Sequence, residues 1–273
     1  MRTEVSSTSP IVVLDSGLGG LTVARAVIDL LPRENLIYFG DTARLPYGPR
    51  PLEEVRKFAL EIMDGLVEED VKLLVVACNS AASAALAGAR DRYTVPVVGV
   101  IEPGVKAAVA ATRNRRIGLI GTHATVASGS YEAAVRASNA NVELFSQACP
   151  RFVDFVERGD TTSEELVTLA AEYLEPLARA GIDTLILACT HYPLLSGVLQ
   201  YVAGDDVVLI SSAEATATEV FARLKDDQLI NPARRRAVHR FVASSEEGAF
   251  SDLGRRFLGP EFGRVEHRPW DKA

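Results

Sequence analysis

The chain has 273 residues, of which 48% are hydrophobic and 24% charged, so it can form one large domain or two of ordinary size with a sizeable core. Its net charge of −7 and sequence pI of about 5.3 provide no global field that favours nucleic acid or an anionic membrane. No apolar run approaches the roughly 20 residues of a spanning helix, and the N-terminus MRTEVSSTSP lacks the apolar region of a secretory signal. Three cysteines do not make a disulfide framework in a chain of this length, and we therefore expect a cytoplasmic protein.

Strands and helices alternate along the whole sequence. Short apolar runs, rich in β-branched residues, predict strands buried on both faces. In chain order these are IVVLD (11–15), LIYFGD (36–41), KLLVVA (72–77), VPVVGV (95–100), RIGLIG (116–121), VELFS (142–146), TLILAC (184–189) and VVLIS (207–211). Helices are predicted between them, for example over 21–31, over 51–70 and over 80–93. The alternation predicts an α/β fold of parallel sheets with helices on both faces.

Two pairs of stretches in the chain resemble each other. VKLLVVACNSA aligns without gaps with IDTLILACTHY, which sets Cys78 against Cys189 at an offset of 111 residues. IVVLDSGLGG resembles IGLIGTHATV at an offset of 106 residues. The similar offsets predict two related α/β units. Because ligands bind at the carboxyl ends of parallel strands, two such units facing each other would place both thiols across one crevice.

An acid and a thiol follow strands of the first unit. Asp15 ends the first strand, and a carboxylate after four apolar residues is costly to bury unless it has a partner or a role. The structural alternative is that Asp15 stabilises the glycine turn or the helix that follows. Cys78 is followed by Asn79 and Ser80, and these side chains, with free backbone N–H groups, suit a carboxylate or amine ligand.

The second unit carries Cys189, Thr190 and His191 at the end of a strand, where an imidazolium can favour a thiolate. Either cysteine alone is explained by packing, but their equivalent placement favours a reactive pair. Three other interpretations are less favoured. Zinc prefers closely spaced ligand pairs, a disulfide does not suit the cytosol, and a single Cys–His nucleophile leaves Cys78 unexplained. Cys149 has no partner in the repeat, and we interpret it as structural.

Seven motifs resemble, in order, those of the cofactor-independent glutamate racemases of bacterial cell-wall synthesis. They are DSGLGG (15–20), FGDTARLPYG (39–48), ACNSAA (77–82), GVIEPG (99–104), IGTHATVASGSY (120–131), CPRFVDFVERG (149–159) and ACTHYPLL (188–195). Two positions depart from the family pattern: Ser80 stands where Thr is usual, and Ala188 where Gly is common. Both changes keep the side chains that matter. The stretch after residue 213 carries no motif that resembles the family.

The resemblance implies an enzyme that interconverts L- and D-glutamate with two cysteines and with no cofactor or metal. Cys78 would act on D-glutamate beside Asp15. Cys189 would act on L-glutamate beside His191, which Glu157 supports. The implied substrate-binding residues are Asp15, Ser16, Pro46, Tyr47, Gly48, Asn79, Ser80, Thr122, Thr125, Thr190 and His191.

The resemblance also implies the architecture. Two flavodoxin-like domains in pseudo-twofold arrangement would hold the active site in the cleft between them. Residues 10–100 with 211–273 would form the first domain and residues 101–210 the second. The implied assembly is a homodimer, and the implied role is the supply of D-glutamate for peptidoglycan.

Two other functions are alternatives for this sequence. An aspartate racemase of the same superfamily is the nearest rival, but those relatives typically carry Glu where this chain has His191. An additional, non-enzymatic role as an inhibitor of DNA gyrase is reported for some glutamate racemases. The acidic net charge argues against direct binding to nucleic acid, and we expect no membrane partner.

Overall fold

The computed structural model describes residues 5–245, 254–255 and 258–270. The strands are β1 (Ile11–Asp15), β2 (Leu36–Gly40), β3 (Leu73–Val76), β4 (Val97–Gly99), β5 (Arg116–Gly121), β6 (Glu143–Ala148), β7 (Thr184–Ala188), β8 (Val208–Ser211), β9 (His239–Ala243) and β10 (Val265–His267). The α-helices are α1 (Leu21–Leu30), α2 (Leu52–Leu66), α3 (Asn79–Arg92), α4 (Ile101–Ala111), α5 (His123–Ala127), α6 (Ser130–Ala137), α7 (Phe152–Glu157), α8 (Glu164–Arg179), α9 (Ser196–Ala203) and α10 (Ser212–Asp226). Short 3-10 turns lie at Val67–Glu69, Tyr192–Leu195 and Gly259–Glu261.

These strands form two sheets in which every described pairing is parallel, so the predicted class, two α/β domains built on parallel sheets, is confirmed. The first sheet has the order β10-β9-β2-β1-β3-β4 and the second β6-β5-β7-β8. The order β2-β1-β3-β4 is thus repeated as β6-β5-β7-β8, as the internal repeat predicts. In both sheets the cysteine follows the strand that pairs with the first strand of its unit.

Successive side chains along β7 point to opposite faces of the second sheet and join two different apolar clusters. Ile186 and Ala188 of β7 join a large apolar cluster that extends through the first sheet. Leu185, Leu187 and then Cys189 point the other way, into a smaller cluster formed with α7, α8 and α9. Side chains on both faces are therefore buried, which explains why β7 is an uninterrupted apolar run. Its carboxyl end is therefore packed on both faces.

The C-terminal part of the chain holds two strands that the sequence analysis did not predict. β9 pairs with β2 and β10 pairs with β9, so both extend the edge of the first sheet. Their charged side chains obscure the apolar pattern, because Arg240 pairs with Glu69 and Glu266. Most other strand ends fall within two residues of the predicted ones. β4 is the shortest of them, because Pro96 has no N–H to donate to a ladder.

Within the described residues, no helix is both long enough and apolar enough to cross a bilayer. In the same part of the chain, no three or more His, Cys, Asp or Glu side chains are grouped so that they could hold a metal ion.

Candidate active site

A cavity of about 230 Å³ lies where the carboxyl ends of the two sheets meet. It is smaller than the roughly 300–1,000 Å³ of sites for drug-sized ligands, which suits a molecule as small as an amino acid. The lining residues are Ser16, Gly17, Leu45, Pro46, Tyr47, Gly48, Pro49, Cys78, Asn79, Ser80, Thr122, Pro150, Arg151, Val153, Asp154, Glu157, Cys189, Thr190 and His191. Both candidate cysteines therefore face one cavity from different sheets.

Nearly all of the predicted site residues line this cavity. The exceptions are Asp15 and Thr125, which are fully buried behind it. Thr125 donates its N–H to the Thr122 hydroxyl at 3.3 Å, as the helix-capping partner of the first turn of α5. Its hydroxyl lies 3.1 Å from the same oxygen. Thr125 is thus placed to orient Thr122 rather than to meet a ligand in the cavity.

On the first sheet, Cys78 stands directly before α3, at the N-terminal end of that helix. Its Sγ lies 3.5 Å from the Ser16 hydroxyl. The next residue, Asn79, accepts a hydrogen bond from the Tyr131 hydroxyl at 2.6 Å, while its buried Nδ2 has no partner. Tyr131 therefore holds the amide so that its donor remains available in a cavity wall. Ser80 reaches across to the second sheet, where its hydroxyl lies 2.9 Å from that of Thr122.

On the second sheet, a short chain of polar atoms leads away from the thiol. Cys189 Sγ lies 3.8 Å from His191 Nδ1, and His191 Nε2 lies 3.5 Å from a Glu157 carboxylate oxygen. The imidazole is buried, whereas the Glu157 side chain is 40% exposed. The arrangement resembles a thiol–imidazole–carboxylate relay in which the outer carboxylate touches solvent.

Asp15 contacts both halves of the site. Its Oδ2 accepts the Gly17 N–H at 3.0 Å, so the structural alternative, in which Asp15 stabilises the glycine turn, also holds. Its Oδ1 accepts a hydrogen bond from the Thr190 hydroxyl of the second sheet at 3.4 Å. The carboxylate expected beside Cys78 is therefore also tied to the residue that follows Cys189.

The glycine turn itself approaches the second sheet closely. A Cβ on Gly19 would lie 2.7 Å from His191 Nδ1 and closer still to the Thr190 hydroxyl. Contacts that short are not tolerated, so Gly19 lets the turn after β1 pack against the thiol-bearing turn of the other sheet. The glycine in the GLGG stretch therefore allows two walls of the cavity to approach each other closely.

The chain is similar to known proteins over nearly its whole length. The sequence matches the Asp/Glu/hydantoin racemase family over residues 20–220. It is 55% identical over 257 residues to a glutamate racemase from Acidothermus cellulolyticus, covering 94% of this chain and 97% of that one.

The chain belongs to the Asp/Glu/hydantoin racemase family. The fold agrees, because a glutamate racemase isoform from Bacillus anthracis superposes with a TM-score of 0.92 at 40% identity, over 97% of this chain and 99% of that one. A glutamate racemase from Francisella tularensis, solved in complex with D-glutamate, superposes with a TM-score of 0.91 at 31% identity, over 98% and 100%. The chain is accordingly an enzyme of the isomerase class, and its similarity is to the glutamate racemases.

The two thiols of this racemase lie in different electrostatic surroundings. Burial raises the pKa of Cys78 to about 12, and the negative charge of Asp15 adds to this rise. Hydrogen bonds from the Ser16 hydroxyl and the Ala81 N–H only partly offset it. At neutral pH, Cys78 is therefore a neutral thiol in the ligand-free racemase.

His191 differs from an ordinary buried histidine. Burial alone would lower its pKa, but hydrogen bonds to Cys189 and Glu157, with the charges of Cys189 and Asp15, raise the pKa of His191 to about 10. The imidazole is thus a cation at neutral pH, and its Nδ1 lies 3.8 Å from Cys189 Sγ. Burial raises the pKa of Asp15, and the charge of His191 opposes that rise.

Alkylation kinetics should reveal this asymmetry. Iodoacetamide at neutral pH is expected to label Cys189 at least about tenfold faster than Cys78, because only thiolates react and the raised pKa of Cys78 keeps that thiol protonated. The labelling rate of Cys78 should then rise about tenfold for each unit of pH up to its pKa, since the thiolate fraction rises by that factor. Peptide mass spectrometry at several times would give both rates.

Cys149 provides an internal control for that experiment. Burial raises its pKa above the usual thiol range, it does not line the cavity, and its Sγ lies 3.7 Å from the Gln147 carbonyl oxygen. It should remain unlabelled until the protein unfolds. Equal labelling rates for Cys78 and Cys189 would contradict the raised pKa of Cys78.

Several residues of the site were not singled out by the sequence analysis. Tyr131 and Gly19 lie inside motifs that carry the family resemblance, but their contacts become visible only when the two sheets are placed together. Arg151 and Asp154 line the cavity as well, and Arg151 pairs with Glu165 at 3.2 Å. Their positions between Pro150 and Glu157 are the only signal that the sequence offers for them.

Proposed function

We propose that this protein racemises glutamate by a two-base mechanism in which Cys78 and Cys189 act on opposite faces of the α-carbon. The observation that carries the proposal is the placement of the two thiols. They come from the ends of equivalent strands in different sheets and line one cavity of amino-acid size. A racemisation without an electron-accepting cofactor needs such a pair of groups, one to remove the proton and one to return it.

In the proposed reaction, Cys189 starts as a thiolate and Cys78 as a thiol. With L-glutamate bound, the Cys189 thiolate removes the α-proton, and the electron pair of the C–H bond is left on the substrate. The Cys78 thiol then gives its proton to the other face of the carbon, which yields D-glutamate, a Cys78 thiolate and a Cys189 thiol. D-glutamate reacts by the reverse sequence. Protonated His191 stabilises the thiolate of Cys189. The Ser16 hydroxyl and the N-terminal end of α3 stabilise the thiolate of Cys78.

Neutral donors surround the substrate in this proposal. Hydroxyls of Ser16, Ser80, Thr122 and Thr190 line the cavity, and the unpaired Nδ2 of Asn79 is buried in its wall. Such donors can bind two carboxylates without a large permanent charge next to the thiols. Asp15, Glu157 and Thr125 act as positioning residues, and Pro46, Tyr47 and Gly48 cover the substrate from the loop after β2.

Glutamate is favoured over aspartate by the similarity to glutamate racemases across nearly the whole chain and by His191 at the position where aspartate-specific relatives typically have Glu. The Francisella tularensis protein is described in complex with D-glutamate, and the proposed substrate of this chain is the same amino acid in both enantiomers.

The remaining proposals depend on the family resemblance. The enzyme would work as a cytoplasmic homodimer without a cofactor and supply D-glutamate for peptidoglycan, and a gyrase interaction would be additional. Residues 10–100 with 211–273 would form the first domain and residues 101–210 the second, which the membership of the two sheets supports. Within 211–273, residues 246–253, 256–257 and 271–273 lie outside the described residues.

Incubation with L-glutamate in D₂O tests the function. The optical rotation should decay to zero while the α-position gains deuterium, because the returning proton comes from a thiol that has exchanged with solvent. L-aspartate should be turned over much more slowly under the same conditions. Rotation that stays constant at high enzyme concentration would contradict the proposal, and faster turnover of aspartate would favour the alternative substrate.

A further inference from the structure

The loop that follows β2, residues 41–50, forms one wall of the cavity. Five consecutive residues of the loop, from Leu45 to Pro49, line it. The loop also reaches the second sheet, where the Ala124 N–H donates to the Gly48 carbonyl at 3.0 Å. A Cβ on Gly48 would lie 2.9 Å from Thr122, so the loop fits tightly against the opposite wall. Whatever holds this loop determines whether the cavity is covered.

The base of the loop is organised around a buried carboxylate. Asp41 is 0% exposed and accepts hydrogen bonds from Arg44 Nε at 2.7 Å and from the Tyr47 hydroxyl. Its third partner lies outside the loop, because the Ser244 hydroxyl donates to Asp41 at 2.8 Å. The same Ser244 oxygen accepts the Ala43 N–H at 2.9 Å. Asp41 and the loop backbone are therefore both bound by the residue that follows β9.

Two further contacts join the loop to the C-terminal part of the chain. Ser245 donates its N–H and its hydroxyl to the Thr42 hydroxyl oxygen, at 3.0 and 2.6 Å. The guanidinium of Arg44 lies over the Trp270 ring at 4.3 Å and over the Phe58 ring at 4.2 Å. A planar guanidinium that stacks on aromatic faces in this way is held there by cation–π attraction.

We propose that Asp41, Arg44, Ser244, Ser245 and Trp270 form a loop anchor, through which the C-terminal segment positions the substrate-covering loop. This assigns a role to the stretch after residue 213, which carries no motif of the family. None of the five residues lines the cavity. They are positioning residues that act through Tyr47 and Gly48, and the inference rests on the proposed function only in taking glutamate as the ligand that the loop covers.

The anchor should act on substrate affinity rather than on the chemical step. In the wild type the loop is held over the cavity before substrate arrives. In Ser244→Ala or Trp270→Ala the loop is released, and only the covered fraction of molecules binds substrate productively. The apparent KM for both enantiomers is then expected to rise about tenfold while kcat changes little, because affinity falls by the covered fraction. Trp270→Phe keeps a ring beneath Arg44 and should restore most of the affinity.

The chain carries a natural probe for a second readout, since Trp270 is its only tryptophan. In the wild type, Arg44 shields one face of the indole. Acrylamide quenching of tryptophan emission should therefore increase in Ser244→Ala without any ligand, and glutamate should reverse the increase. Tyr201→Ala is the matched control, because Tyr201 is 78% exposed and lies on α9, away from the loop. It should change neither KM nor quenching.

The two readouts separate this inference from the proposed function. Quenching without ligand needs no turnover, so it tests the anchor even if the protein were not to racemise glutamate. Unchanged quenching in Ser244→Ala overturns the inference, and so does a fall in kcat with KM unchanged. Should Ser244→Ala not fold, Ser245→Ala removes only the hydroxyl bond to Thr42 and is expected to show the same rise in KM and in quenching. A wild-type KM together with wild-type quenching in Ser245→Ala would also overturn the inference.

Discussion

Replacement of either Cys78 or Cys189 by serine is expected to lower the racemisation rate by about 10²- to 10⁴-fold in both directions. A serine hydroxyl is close in size to a thiol, so the cavity should keep its shape while the proton-transfer group is lost. Because each direction uses one cysteine as base and the other as acid, neither single variant retains a complete pair. Optical rotation measured from L- and from D-glutamate would give both rates.

The residual exchange of each variant should be one-sided. Cys78→Ser keeps the thiolate assigned to L-glutamate, so any α-deuterium gained in D₂O should appear with L-glutamate and without inversion. Cys189→Ser should show the reverse preference. Cys149→Ser is the matched control, since this third cysteine is equally buried but does not line the cavity, and it should racemise at the wild-type rate. A wild-type rate in either of the other two variants would exclude the two-thiol mechanism.

Replacement of Glu34 by alanine is expected to lower the free energy of unfolding by about 3–5 kcal/mol, because it leaves a buried charge without its partner. Lys72 is 0% exposed, and its ammonium donates to Glu34, to the Ser7 carbonyl at 2.6 Å and to the Leu229 carbonyl at 2.9 Å. Glu34 also accepts the Asn231 N–H at 2.8 Å. The pair thus joins four separate parts of the chain. Urea unfolding followed by circular dichroism would measure the loss.

An exposed ion pair within one helix provides the comparison. Arg25 and Asp29 lie 2.7 Å apart with side chains 43% and 55% exposed, so Asp29→Ala should cost less than about 1 kcal/mol. Burial already lowers the pKa of Lys72, and loss of Glu34 should lower it further. Between the Lys72 pKa of the folded variant and that of the folded wild type, only the variant has lost a proton that its unfolded state still binds, so the deficit of Glu34→Ala should shrink as pH rises through that interval. A deficit no larger than that of Asp29→Ala would contradict the assigned role.

The same substitution should leave the chemistry intact. Lys72 comes just before β3 and Cys78 just after it, so the ion pair and the thiol lie at opposite ends of one strand. Below its unfolding temperature, Glu34→Ala is therefore expected to keep the wild-type kcat.

The sequence predicts the interior strands well because burial on both faces leaves a plain apolar pattern. The predicted bounds of β1 and β5 agree with the structure. β3 is one residue shorter than predicted at each end, and β7 is one residue shorter at its carboxyl end. β9 and β10 were missed because their buried runs are short. β9 buries only Phe241, Val242 and Ala243, after the polar His239 and Arg240, and β10 buries only Val265. Local patterns report local burial, and one to three buried residues give a weak signal.

The candidate site divides in a similar way. Cys78 and Cys189 could be placed at strand ends from their own neighbours in the sequence, and the repeat related them to each other. Asp15 was expected beside Cys78 alone, but it also accepts a hydrogen bond from Thr190. Thr125 belongs to a recognisable motif, yet its position in the first turn of α5 places it behind Thr122 and outside the cavity lining. Neither position follows from local preference.

The amino-acid sequence by itself determined which elements form, where each reactive side chain leaves its strand, and that two similar units carry one thiol each. Only the tertiary structure decided which groups meet across the cleft: Ser80 with Thr122, the glycine turn with His191, and Asp41 with Ser244. The reason is physical, because periodicity and turn chemistry act over a few residues. Contacts between residues separated by 42 to 203 positions depend instead on how whole sheets pack and on which backbones can approach closely.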